Sequence, residues 1–220
     1  MSKGKHTLIV TGGRVRDGYI KEVLEEGSFD CILGVDGGLE YLYQAGIEPD
    51  YVVGDFDTVS KETLAHFLHV EGMNVYQFQP EKDATDTQLA IELALEIGSQ
   101  EICIIGATGS RMDHVLGNIQ ILGIALEHDV FCYLLDPTNR IRLLKKGLQI
   151  KKEDQYGDYI SLIPLTTTVT GVTLEGFKYP LYLHTFTSFD TLGISNEIVE
   201  TIASIELHQG ILMMIESKDG

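Results

Sequence analysis

The sequence predicts two kinds of fold in one chain: an α/β domain with a doubly wound parallel sheet, then an all-β domain of the sandwich type. Three observations carry this expectation. Through the first two-thirds of the chain, apolar strand-like runs alternate with helical stripes. After Asp136-Pro137 the runs become short, threonine-rich and β-branched, punctuated by Lys146-Gly147, Tyr156-Gly157-Asp158, Glu175-Gly176 and Gln209-Gly210 turns. A chain of 220 residues is also long enough for two domains with a core each. The expected domains are residues 1–137 and 138–220.

Taken in order, the strand-like runs of the first domain are Thr7–Val10, Cys31–Val35, Tyr51–Val53, Val75–Phe78, Glu101–Ile105 and Val130–Leu135. Leu89, Leu93 and Ile97 recur at every fourth position, with Ala90 and Ala94 beside them, and Thr85-Asp86-Thr87-Gln88 opens this stripe as a capping box. Val115, Ile119, Leu122 and Leu126 form a second helical stripe. Strands alternating with helices imply right-handed βαβ units and a sheet covered on both faces. In such sheets a ligand binds at the carboxyl ends of the strands. In the second domain, Ile141–Leu144, Tyr159–Ile163 and Thr166–Leu174 read as strands, and no long helical stripe follows.

The formal charge of −17 argues against a nucleic-acid partner, because that binding depends on Lys and Arg neutralising phosphates. A solvated acidic surface accounts for the excess. The run Thr7–Val10 is too short for a signal-peptide core, and no apolar stretch approaches membrane-spanning length, so no membrane association is expected. Cys31, Cys103 and Cys132 are far apart in sequence, and each lies in or beside an apolar run. They read as buried free thiols, which fits a cytoplasmic protein.

The first domain's aspartates follow its strands. Asp36-Gly37-Gly38 ends the second run, and Gly54-Asp55-Phe56-Asp57-Thr58 ends the third. Lys82-Asp83-Ala84-Thr85-Asp86 follows the fourth, and Gly106-Ala107-Thr108-Gly109-Ser110-Arg111-Met112-Asp113-His114 follows the fifth. Consecutive βα loops thus bring Asp36, Asp55, Asp57, Asp83, Asp86 and Asp113 toward one crevice. So many carboxylates raise one another's pKa unless a cation sits among them. Oxygen ligands select Mg²⁺ or Mn²⁺ over zinc. Lys82 and Arg111 can offset phosphate charge, while Gly37-Gly38, Gly106 and Gly109 leave room for a phosphate at a helix N-terminus. Taken singly, these features are ordinary turn and cap chemistry. Arg14 faces phosphate or solvent, and His114 and Asn118, four apart on a helix, form a structural pair or belong to the site. Neither a Walker A pattern nor a dinucleotide G-x-G-x-x-G is present.

Two other readings compete. Val53-Gly54-Asp55-Phe56-Asp57-Thr58-Val59 also resembles the first motif of haloacid-dehalogenase-type phosphatases, in which the first aspartate is a covalent nucleophile. Here, however, two complete strand patterns and an Asp-Gly-Gly loop precede it. A diphosphotransferase acting on another ring alcohol, of pterin type, would share the first domain's motifs but would not need Ser195-Asn196-Glu197.

The ordered set of motifs resembles the thiamine pyrophosphokinase family. It runs from Asp36-Gly37-Gly38 through Asp55-Phe56-Asp57, Lys82-Asp83-x-Thr85-Asp86 and Arg111-x-Asp113-His114-x-x-x-Asn118. In the second domain, Gly176-Phe177-Lys178-Tyr179-Pro180-Leu181 and Gly193-Ile194-Ser195-Asn196-Glu197 are similar to the same family. Thr58 stands where serine is usual, and Ser110 where a glycine is common. The resemblance implies a homodimer with an α/β Mg-ATP-binding domain, and a β-sandwich that dimerises and shapes a thiamine pocket at the subunit interface. It implies Asp55, Asp57 and Asp86 as metal ligands. Asp36, Gly37, Lys82, Asp83, Thr85, Gly109, Arg111 and Asp113 would lie around ATP, and Asp55, Asp57, Asp86, Arg111 and Asp113 would carry catalysis. Ser195 and Asn196 would hold thiamine, with Phe177 and Tyr179 as aromatic contacts. The implied reaction passes the β,γ-diphosphate of ATP to the hydroxyethyl group of thiamine.

Overall fold

The computed structural model describes residues 4–77 and 84–220. It divides into two compact units between Asp136 and Pro137. In the first, β1 (Lys5–Val10), α1 (Tyr19–Glu26), β2 (Cys31–Val35), α2 (Gly38–Ala45), β3 (Tyr51–Gly54), α3 (Lys61–Leu68) and β4 (Asn74–Gln77) follow in turn. Then come α4 (Asp86–Glu96), β5 (Ser99–Ile105), α5 (Met112–Glu127) and β6 (Phe131–Leu135). The strands lie side by side in the order β4-β3-β2-β1-β5-β6, every pair parallel. Of the expected strand Val75–Phe78, Phe78 falls outside the described residues.

The chain moves outward from β1 to β4, then crosses back to lay β5 on the other side of β1. Right-handed crossovers put helices made on the outward and return journeys on opposite faces. The core follows this division. Leu8 and Val10 of β1 pack with Tyr19, Ile20 and Val23 of α1 and with Leu39 and Leu42 of α2. The return helix α4 crosses behind β1, β2, β3 and β5, burying Ala90, Ile91, Leu93 and Ala94. The order reverses between β1 and β5, so the crevice that doubly wound sheets use for ligands opens at the ends of these strands. Because α4 spans the central strands, its first turn is delivered to that same end.

The second unit contains β7 (Asn139–Leu144), β8 (Leu148–Lys151), β9 (Tyr159–Pro164), β10 (Thr168–Glu175), β11 (Leu181–Thr187), β12 (Ile202–Glu206) and β13 (Leu212–Ser217). β13 pairs antiparallel with β7 and β9, and a second antiparallel sheet runs β11-β10-β12-β8. Ile160, Leu162, Leu212 and Met214 from the first sheet meet Ile150, Val172, Leu174, Phe186, Ala203 and Ile205 from the second in one core, as a sandwich requires. Glu216 on β13 is fully buried, and Arg140 meets it at 2.6 Å while Tyr156 N–H donates to it at 3.3 Å, so this charge is matched internally. Cys31, Cys103 and Cys132 are buried free thiols. Among the described residues no helix is long and apolar enough to cross a membrane.

Candidate active site

The β1–α1 and β5–α5 loops are laced together at the switch point. Thr11 N–H donates to Ile105 C=O at 3.0 Å, Gly13 N–H to Gly106 C=O at 2.7 Å and Arg14 N–H to Thr108 C=O at 2.9 Å. A Cβ on Gly13 would fall inside the contact radius of the Gly106 and Thr108 carbonyl oxygens, so only glycine lets the loops meet. Gly37 closes on the same place, since a Cβ there would stand 3.3 Å from Gly12 Cα. The hydroxyls of Thr11 and Thr87 lie 3.1 Å apart, tying the first turn of α4 to the end of β1.

The carboxylates gather beside these loops. Asp36, just after β2, has φ of 43°, and its Oδ1 accepts from Phe56 N–H at 3.2 Å. Gly54 ends β3 with φ of 146°, where a Cβ would overlap Asp36 Oδ1. Phe56 follows with φ of 64° and buries its ring in the core. This doubly bent turn wraps the end of β3 around the Asp36 carboxyl and throws Asp55 and Asp57 to the same side. Asp57 N–H donates to Asp55 Oδ1 at 3.2 Å, and carboxylate oxygens of Asp36, Asp55 and Asp57 come within 4.8 Å of one another. Thr85 caps α4 by accepting from Gln88 N–H at 3.2 Å, and Asp86 is the helix's first residue. Asp86 stands close enough to the Asp36 carboxyl to raise its pKa.

Burial pushes the Asp36 pKa up to about 7, helped by the hydrogen bond and negative charge of Asp86 and only partly opposed by Phe56 N–H. Asp36 thus belongs to the carboxylate cluster by geometry and by charge. Carboxylates this crowded, one of them driven toward its neutral form, suit a hard divalent cation. The set fits Mg²⁺ by chemistry and placement. Lys82 and Asp83 lie outside the described residues.

Arg111 and Asp113 pair with each other, Arg111 Nη2 on Asp113 Oδ2 at 2.6 Å and Nε on Oδ1 at 3.2 Å, both side chains mostly exposed. Arg111's hydrogen bond and charge hold the Asp113 carboxyl down at about 2. The pair stands at the start of α5, where an anion also meets the helix N-terminus. Asn118 does not pair with His114: its Nδ2 donates to Ala107 C=O at 2.8 Å, fixing the β5–α5 loop. Met112 and Leu116, four apart on the same helix, are exposed, giving this domain an apolar strip that sequence periodicity did not single out. Arg14 is exposed.

In the second unit, the sequence motifs separate into core and surface. Phe177 is buried, so it packs the sandwich rather than offering an aromatic contact, whereas Tyr179 is 60% exposed. Ser195 is exposed with φ of 56°, and its N–H donates to Ser161 Oγ at 3.0 Å. Among the described residues only Asp36, Phe56, Asp129, Leu183 and Ser195 combine a side chain with positive φ. Two of these, Asp36 and Ser195, are candidate site residues, and strained backbone tends to gather at such positions. Asn196 is buried and its side chain faces protein: Oδ1 accepts from Tyr179 N–H at 3.0 Å and Glu197 N–H at 2.9 Å, while Nδ2 donates to Tyr179 C=O at 2.8 Å. No residue pattern announced this, nor the Ser161 contact, because both join segments far apart in sequence.

Carboxylates crowded at the switch point of a doubly wound sheet, with glycine loops open to a polyphosphate, define a phosphotransferase domain. Its relatives are specific. Residues 24–134 match the model for the catalytic domain of thiamin pyrophosphokinase, and residues 147–212 match the vitamin B1 binding domain of the same enzymes. A thiamine pyrophosphokinase of Bacillus subtilis (strain 168) is 39% identical over 193 residues, covering 85% of this chain and 87% of the relative. A crystal structure of thiamine pyrophosphokinase from Bacillus subtilis superposes with a TM-score of 0.88 at 35% identity, covering 98% of this chain and all of that one. One from Geobacillus thermodenitrificans gives 0.81 at 32% identity, covering 97% and 98%. The chain belongs to the thiamine pyrophosphokinase family. The phosphatase and pterin-type readings find no support among these relatives.

Proposed function

We infer that this chain transfers the β,γ-diphosphate of ATP to the hydroxyethyl oxygen of thiamine and releases AMP. The observation that carries this is the convergence of Asp36, Asp55 and Asp57 at the switch point of a chain whose two parts match the family's catalytic and vitamin B1 binding domains. Asp55, Asp57 and Asp86, with Asp36 among them, would hold Mg²⁺. When bound, Mg²⁺ neutralises the charge on the transferring phosphates. The chain's own contribution is placement and charge. Gly13 and Gly37 keep side chains out of the loops beside the polyphosphate, and Thr85, Gly109, Arg111 and Asp113 would line it. Asp113 pairs with Arg111 at the head of α5, where phosphate oxygens could take the carboxylate's place.

In the transfer, the thiamine hydroxyl oxygen bonds to the β-phosphorus in line. The bond from that phosphorus to the α,β-bridging oxygen breaks, AMP departs, and the hydroxyl proton passes to a crevice aspartate not engaged by metal. No enzyme nucleophile is required. Thiamine is cationic, which suits the exposed Tyr179 ring and the neighbouring Glu197 carboxylate. A homodimer is supported by exposed Tyr182, Leu183, Phe189 and Leu192 in and after β11, an apolar surface a second copy would cover. Three buried free thiols fit a cytoplasmic setting.

Incubation with ATP, Mg²⁺ and thiamine should yield AMP and thiamine diphosphate in equal amounts. ADP with thiamine monophosphate, or inorganic phosphate alone, would refute the assignment. Ser195→Ala should raise the KM for thiamine about 2- to 12-fold, the value of one hydrogen bond of roughly 0.5–1.5 kcal/mol, with the KM for ATP little changed. Steady-state kinetics with each substrate varied in turn checks this, and equal shifts in both constants would remove Ser195 from the thiamine site.

A further inference from the structure

We propose that Asn196 is a positioning residue that acts on thiamine through Tyr179, not by touching the substrate; this rests on the thiamine pyrophosphokinase reading above. Tyr179 lies in the connection between β10, which ends at Glu175, and β11, which begins at Leu181, so it has no place in a strand ladder. Pro180 follows it and brings no N–H of its own. A mobile connection would leave the aromatic ring free to sample many directions. The Asn196 side chain fixes the backbone from which the ring projects, because a primary amide carries the same donor and acceptor as a peptide group. It accepts the Tyr179 N–H at 3.0 Å and donates to the Tyr179 C=O at 2.8 Å, so it serves as the missing ladder rung.

The rung is itself anchored. Asn196 N–H donates to Ile160 C=O at 2.9 Å, and Ile160 N–H donates to Asn196 C=O at 2.8 Å, which fastens the residue to β9. Lys178 N–H donates to Glu197 C=O at 2.9 Å alongside. One residue therefore ties β9 of the first sheet to the backbone that carries the Tyr179 ring, in the connection between two strands of the second. With Asn196 7% exposed and Tyr179 60% exposed, the holding group is inside and the presented group outside. The ring already attracts a cation: Lys178 Nζ stands 5.7 Å from its centroid while paired to Glu197 Oε1 at 2.6 Å. A ring carried on a fixed backbone loses less entropy when a flat cation stacks on it.

A double-mutant cycle on the KM for thiamine tests the proposal, using Asn196→Ala, Tyr179→Ala and the double variant in the full-length enzyme, with thermal melting followed alongside. Asn196→Ala should raise the KM for thiamine about 2- to 12-fold, more than it lowers kcat or raises the KM for ATP. In the Tyr179→Ala background the same change should add less than about 2-fold, because the ring it serves is gone. Asn196→Ser, which keeps a small polar group able to serve one of the two Tyr179 bonds without burying a charge, should fall between wild type and Asn196→Ala, and it replaces Asn196→Ala in the cycle if that variant does not fold. An undiminished effect of the Asn196 substitution without Tyr179, equal shifts for both substrates, or an unchanged KM for thiamine would overturn the proposal while leaving the enzyme's activity established. Absence of thiamine diphosphate from the wild-type reaction would instead remove the functional reading beneath it.

Discussion

Replacing Asp55 or Asp57 by Asn should lower turnover at least ~100-fold and leave the fold intact. Each substitution keeps the shape of the side chain but deletes a charge from a group of carboxylates whose oxygens come within 4.8 Å of one another. Losing one stabiliser of a charged transition state costs about this much. The same deletion relieves repulsion in the metal-free protein, so the melting temperature should stay level or rise while activity collapses. That opposed pair of outcomes separates a functional cluster from a structural one. Turnover measured at saturating ATP, thiamine and Mg²⁺, together with a thermal melt in chelator, reads both. Near-normal turnover in both variants at matched stability would exclude these carboxylates from the chemistry.

Gly54→Ala should be nearly as damaging by a different route. Gly54 has φ of 146°, a conformation open essentially to glycine alone, and an added methyl would overlap Asp36 Oδ1. Backbone strain of this kind costs roughly 1–3 kcal/mol. To escape it the turn must rotate, and the hydrogen bond from Phe56 N–H to Asp36 and the direction of Asp55 change with it. A shift of about 1 Å in reacting groups can cost on the order of 100-fold in rate. Expected, then, are a loss of roughly 1–3 kcal/mol in chemical denaturation and a loss of about 100-fold in turnover. Wild-type activity in a normally stable Gly54→Ala protein would show that the turn does not set the cluster's geometry.

The contrast between these two sites explains what was legible in the sequence. Asp55-x-Asp57 announces itself because both carboxylates sit in one short loop after one strand, and local spacing is what a sequence displays directly. The alternation of strand and helix in the first unit is local in the same sense, as are the cap at Thr85 and the change of pattern after Asp136-Pro137. The approach of Asp86 to Asp36 is different. It exists because α4 crosses behind the central strands and returns its first turn to the end of β2, a consequence of strand order that no window of sequence contains. The second unit makes the same point. Period-two alternation would place Phe177 and Tyr179 on one face of a strand. Instead Phe177 bridges to Ile198 inside the sandwich, while Tyr179 takes a side-chain amide as its ladder partner and turns outward. Asn196 reads as a substrate ligand by its motif, yet its amide is occupied by backbone.

Transfer of an intact diphosphate is what distinguishes this chemistry from that of a kinase or a phosphatase. The most direct measurement uses ATP labelled at both the β- and γ-phosphorus, with thiamine and Mg²⁺, and follows each label to product. Both labels should appear together in thiamine diphosphate, in equal amounts, with none in AMP and none on acid-quenched protein. Label from the γ-phosphorus alone in a thiamine ester, or label trapped on Asp55, would contradict in-line diphosphoryl transfer by this site.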